Sequence, residues 1–178
     1  SGSSGSSGTS GSSGIVGGQI YYFNQSQNSD VSPYKVLDVT PSTATTQTVA
    51  TSTAGATPVL VQEFLTPQLG FAVIPGGVQR FHLHYLKNAI GNNTDTYVTI
   101  QLCDSTGVPI GSIISSNQAS IGWINNVTPV ETLSDLVLPT TTIDPTNRML
   151  VKIYVLDASS GSHPITWYTE GNTYYSFV

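Results

Sequence analysis

Val78-Gln79-Arg80-Phe81-His82-Leu83-His84-Tyr85-Leu86 decides the reading of this chain. Phe81, Leu83 and Tyr85 alternate with Arg80, His82 and His84. A period of two places one set on each side of a strand, whereas a helix would scatter both sets around its axis. The run therefore predicts a half-buried strand, with the aromatic and aliphatic set inward. Pro75-Gly76-Gly77 before it is a turn signal, and Asn92-Asn93 after it marks a loop.

The same texture extends in both directions. Upstream, Gln19–Phe23 is aromatic and β-branched, as strands prefer. Tyr34–Val39 alternates, Pro58–Leu65 is a further strand candidate, and Phe71–Ile74 is a short one. Residues 40–57 are rich in Thr, Ser and Ala and read as a loop or an exposed edge strand. Downstream, Tyr97–Cys103 puts Val98, Ile100 and Leu102 on one face. Asp104–Gly107 then turns the chain into Val108–Ile114, which predicts a hairpin. Weaker strands are expected around Ala119–Ile124 and Glu131–Leu138. Met149–Leu156 is apolar on both faces apart from Lys152, which predicts a central strand. Pro164–Glu170, Gly171-Asn172 and Thr173–Val178 predict a closing hairpin of aromatic residues. No eleven-residue window carries a helical stripe. The expectation is an all-β body over 18–178, an antiparallel, jelly-roll-like β-sandwich of about eight to ten strands.

Residues 1–17 differ from the rest. Glycine stands at Gly2, Gly5, Gly8, Gly11, Gly14 and Gly17, with Ser or Thr between until Ile15 and Val16. Nothing in this stretch can build a core. Strict spacing by three suits a triple bundle of polyproline-II-like chains, where only glycine fits at the axis. The segment reads as a collagen-like stalk. A flexible Gly/Ser linker is the other reading, since proline is absent. Part of the segment also matches a common cloning tag.

Composition excludes several functions. The 178 residues hold 5 Lys+Arg and 10 Asp+Glu, 8% charged in all, with a net charge of -5. An ordinary domain carries about 25%. Five cations cannot neutralise a phosphate backbone, so nucleic acid is not an expected partner. No apolar run approaches the ~18 residues that would span a membrane. One cysteine allows no disulfide within a chain. Ser and Thr supply 23 residues each. A hydroxyl-rich, charge-poor surface suits a particle-surface protein packed against identical copies.

The stretches GQIYYFN (18–24), SDVSPYKVL (29–37), IPGGVQRFHLHYL (74–86), WINN (123–126), DPTNRMLVKIYV (144–155) and ITWYTEGNTYYSFV (165–178) carry a resemblance. Together they are similar to the C-terminal head domains of collagen-like fibre proteins of phages and large DNA viruses. By domain order alone the chain also resembles the trimeric heads of C1q/TNF-like proteins. The resemblance implies a structural or adhesive protein of a virion surface or the extracellular space. It further implies a protein that is often trimeric. The expected partners are its own copies in a homotrimer, other virion or surface proteins and, from the aromatic residues below, cell-surface glycans. It brings no catalytic site.

His82 and His84 are the sharpest candidates for chemistry. Their imidazoles share one strand face, and three chains around an axis would bring six nitrogens together. Imidazole suits transition metals, and the likeness to phage fibres implies the same use. The alternative is that Arg80, His82 and His84 simply face solvent, with no cofactor. For glycans, Trp123 is the best-placed ring, in a loop-like stretch. Trp167, Tyr168, Tyr174 and Tyr175 are weighed against a role in the core or a subunit interface. The Asn24, Asn92 and Asn126 sequons occur at about chance frequency. His163 reads as a solvated turn residue. Cys103 has neither a base nor an electropositive setting in the sequence, G-x-S-x-G is absent, and the carboxylates mostly mark turns. An enzyme is therefore not expected.

Overall fold

The computed structural model describes residues 18–42, 45–157 and 161–178. The stalk reading, with Gly2, Gly5, Gly8, Gly11, Gly14 and Gly17, falls outside the described residues. None of those described is helical, so no helix is long and apolar enough to cross a membrane. The strands are β1 (Tyr22–Asn28), β2 (Lys35–Asp38), β3 (Gln47–Ala54), β4 (Val59–Leu65), β5 (Val73–Ile74), β6 (Gly77–Lys87), β7 (Thr94–Cys103), β8 (Ile114–Ser115), β9 (Ala119–Ser120), β10 (Val130–Leu138), β11 (Thr141–Thr142), β12 (Arg148–Asp157) and β13 (Ser162–Glu170). Four of these thirteen are two-residue pieces, which leaves nine longer strands.

One sheet has the order β1-β2-β4-β12-β7-β8, with β9 also on β7. A second has the order β10-β6-β13-β3. All pairings are antiparallel except β2 with β4. The expected central strand is β12, held between β4 and β7. The Thr/Ser/Ala-rich stretch supplies the edge strand β3. The alternation of residues 78–86 is borne out: Phe81, Leu83 and Tyr85 are buried, while Arg80, His82 and His84 are on the other side.

The inner faces of the two sheets share one core. Phe23, Phe64, Val98, Ile100, Val151 and Ile153 come from the first sheet. Phe81, Leu83, Tyr85, Ile165 and Trp167 come from the second. Phe23, Phe64 and Trp167 meet edge to face, with centroids 5.0, 5.2 and 5.7 Å apart. This is consistent with a β-sandwich. A smaller cluster of Leu65, Cys103 and Leu150, covered by Val31 and Tyr34, lies beside it. The Arg148 guanidinium, also buried, donates to both Asp30 oxygens at 2.7 and 2.6 Å and to the Ser105 carbonyl at 2.9 Å.

Three expectations change. The strand expected at 108–114 is reduced to a Cys103–Pro109 bridge and the short β8. Pro109 has no N–H to offer a ladder, and Ile110 and Gly111 both donate to the Leu102 carbonyl. The strand expected at 119–124 stops at Ser120. The closing hairpin does not form. β3 takes one edge of β13, and β6 takes the other as far as Tyr168, so the tail's backbone reaches β13 only at its end, where the Thr169 carbonyl accepts from the Ser176 N–H at 3.0 Å.

The C-terminal segment pairs elsewhere instead. Tyr21 and Val178 exchange two backbone hydrogen bonds, at 2.7 and 2.9 Å. His82 and Phe177 exchange two more, at 2.8 and 3.1 Å. Phe177 is thus bridged to Tyr22 of β1 and to His82 of β6. One sheet is joined to the other through six residues of tail. The turn into it needs Gly171: its φ is +142°, and a Cβ there would meet Thr46 Oγ1 at 3.0 Å and the Tyr174 carbonyl at 3.2 Å.

Candidate functional site

The tail builds the most chemically varied part of the surface. On the outer face of the second sheet, Leu133 of β10 lies opposite His82, and His82 lies opposite Phe177. The His82 ring stacks on Phe177, centroids 4.4 Å apart at 7°. Phe177 in turn meets Tyr22 and Tyr175. One row farther along, His84 faces Tyr174, which meets Tyr168 edge to face.

His82 and His84 share a face, as expected, but they are not equivalent. His82 Nδ1 is 2.7 Å from Glu131 Oε1. A carboxylate at that nitrogen favours the Nδ1–H tautomer and leaves Nε2 as the basic atom. His84 is half-buried under the tail, and its Nδ1 is buried without a partner. Burial holds its pKa below the usual imidazole value, and His82 adds to the effect. Glu131 and the Tyr175 backbone pull the other way. Neither ring is simply solvated, because the tail covers both. Among the described residues no three His, Cys, Asp or Glu side chains of one chain converge on a metal position.

Under the tail, the buried Ser176 hydroxyl is a junction. It accepts from the Trp167 indole N–H at 2.9 Å and from the His84 backbone N–H at 3.1 Å. It donates to the Tyr168 carbonyl at 2.7 Å.

Beside this row lies a cleft of about 420 Å³. Tyr22 and Asn24 of β1, Ser42, Glu170 at the end of β13, Asn172 and Tyr175 line it. Asn24 holds the wall in place, donating to the Thr40 carbonyl and accepting from the Ser42 N–H, both at 2.9 Å. Glu170 is only 4% exposed. Its Oε1 accepts from the Ser26 N–H at 2.9 Å and the Ser26 hydroxyl at 3.1 Å. Its Oε2 is buried and has no partner. A smaller groove of about 270 Å³ lies on the outer face of the first sheet. There Tyr97 and Tyr154 stack at 4.9 Å and Lys152 pairs with Glu63 at 2.6 Å.

The remaining sequence candidates disperse. Trp123 is half-buried in the loop between β9 and β10 and lines neither recess. Trp167 is fully buried, so its ring is closed to a ligand. Asn24 and Asn92 are buried, whereas Asn126 is exposed. Cys103 is buried, and burial raises its thiol pKa, with Asp104 adding to the rise. His163 stands on β13 and hydrogen-bonds the buried Asp157 instead of water in a turn. Glu170, Tyr22 and Asn172 were invisible as a group. Ser26 and Glu170 are 144 residues apart, and no local motif marks such a pair.

No protein-family model matches the chain, and no curated protein matches it. Solved structures do. A CocE/NonD family hydrolase from Staphylococcus aureus superposes with a TM-score of 0.58 at 11% identity, over 89% of this chain and 35% of that one. An alpha-amino acid ester hydrolase superposes with a TM-score of 0.57 at 12% identity, over 85% of this chain and 34% of the other. This chain spans about a third of their length. What it shares with them is the fold.

Proposed function

We propose that this chain is the head of a surface fibre or appendage, on a virion or a cell, carried by the Gly-x-y segment 1–17. In this reading the head is jelly-roll-like, assembles as a homotrimer and does no catalysis. It sets three chains in register, and its outer end meets other surface proteins or a host surface. The observation that carries the reading is a strip of exposed apolar side chains on the outer face of the second sheet, interrupted by the Arg80–Asp135 ion pair. Val78 and Val137 lie directly opposite each other, 60% and 68% exposed, and Leu133 is 44% exposed nearby. Buried against copies of itself, such a strip gains the hydrophobic term that water denies it. Facing a threefold axis, each chain's strip meets the strips of the other two. Any metal on a threefold axis would use His82 Nε2, one nitrogen from each chain.

Light scattering on the full chain tests this. The wild type is expected at three times the 18.8 kDa chain mass. The double variant Val78→Lys/Val137→Lys is expected to run as a monomer with an unchanged β-sheet spectrum. A monomeric wild type at every concentration overturns the trimer. The second reading is a carbohydrate-binding adhesin on the same scaffold, and the cleft at Glu170 favours it.

A further inference from the structure

We infer that the cleft between β1, the end of β13 and Tyr175 is a binding site for a neutral sugar. Its lining combines three elements. Tyr22 and Tyr175 stand at one side, ring centroids 6.3 Å apart, and Tyr175 is 40% exposed. An aromatic face of this kind packs against the apolar C–H face of a sugar ring. Asn172 is exposed on the turn and offers both a donor and an acceptor. Glu170 lies in the wall with one oxygen committed to Ser26 and the other unpartnered.

The carboxylate sets the charge that the cleft accepts. Oε2 has no surface open to the cleft, so Glu170 acts through its negative charge and through the wall it holds at Ser26, not by touching a ligand. Sugar hydroxyls carry no charge. The lining holds no Lys, Arg or His, so an anionic ligand such as a phosphate or a sialic acid meets a carboxylate with nothing to offset it. The groove at Tyr97 differs on this point, since Lys152 lies within it. The volume falls in the range of small-molecule sites. The tail that joins the two sheets also positions Tyr175, so the cleft exists only in the folded chain.

The inference gives the adhesin reading a site and rests on it. It does not rest on the trimer, because one chain carries the whole cleft. Saturation-transfer NMR on the full chain tests it with glucose, galactose, mannose, N-acetylglucosamine and, as an anionic control, N-acetylneuraminic acid. At least one neutral sugar is expected to receive saturation at its ring C–H protons. Tyr175→Ala is expected to weaken that binding by about tenfold, the scale of one lost contact, and Glu170→Gln to narrow the preference over the anionic sugar. Asn172→Ala, on the exposed turn, weakens it without touching the core and covers the case in which Glu170→Gln fails to fold. Trp123→Ala leaves it unchanged. Binding of no neutral sugar, preference for the anionic one, or loss with Trp123→Ala but not with Tyr175→Ala overturns the inference. The mass measurement above stands or falls separately.

Discussion

Replacing Trp167 with alanine destabilises the fold by about 3–5 kcal/mol, the usual cost of emptying an indole-sized space in a core. Trp167 is 0% exposed and its ring meets Phe23, Phe64 and Tyr85. Phe23 and Phe64 belong to the opposite sheet, so the substitution removes contacts that hold the two sheets together. It also takes the indole N–H from the Ser176 hydroxyl, one of that group's three partners. A domain has only about 5–15 kcal/mol of stability in all. Urea unfolding followed by circular dichroism reads the effect directly. A loss below about 1 kcal/mol would mean that the core collapses around the gap, against the packing described.

Ser176→Ala is the second large effect, at about 2–4 kcal/mol, although it removes a single oxygen. The hydroxyl is 0% exposed and serves three groups, the Trp167 indole, the His84 amide and the Tyr168 carbonyl. Alanine leaves two buried donors without an acceptor, and each orphaned group costs about 1–3 kcal/mol. Ser176→Thr keeps the oxygen and adds a methyl group, so it separates hydrogen bonding from space. The expected order of urea midpoints is wild type, then threonine, then alanine. Alanine as stable as the wild type would show that the junction contributes nothing.

Why the body was legible and the seam was not has a physical explanation. Alternation is a property of neighbouring residues. Residues 78–86 and 149–156 therefore announced a half-buried strand and a central strand. The shared face of His82 and His84 followed from the same periodicity. What covers that face is decided by pairing at a distance. Phe177 could in principle return along β13, and the turn at Gly171-Asn172 invites it. The pairing of β13 with β3 on one edge, and with β6 as far as Tyr168 on the other, stops that return after the Ser176–Thr169 bond, and no local pattern carries such information. Glu170 illustrates the point for the site. In sequence it is an isolated carboxylate, and it gains meaning from Ser26 on another strand. Trp123 shows the converse, a loop ring that sequence promotes and tertiary structure leaves outside the cleft.

The C-terminal segment joins the sheets, covers the histidines and forms one side of the cleft. Native-state hydrogen exchange on the full chain tests this most directly. The amides of Tyr21, His82, Phe177 and Val178, all donors in the seam, are predicted to exchange as slowly as those of the central strand β12, because they open only with the fold. Fast exchange at Phe177 and Val178, with β12 still protected, would contradict the account.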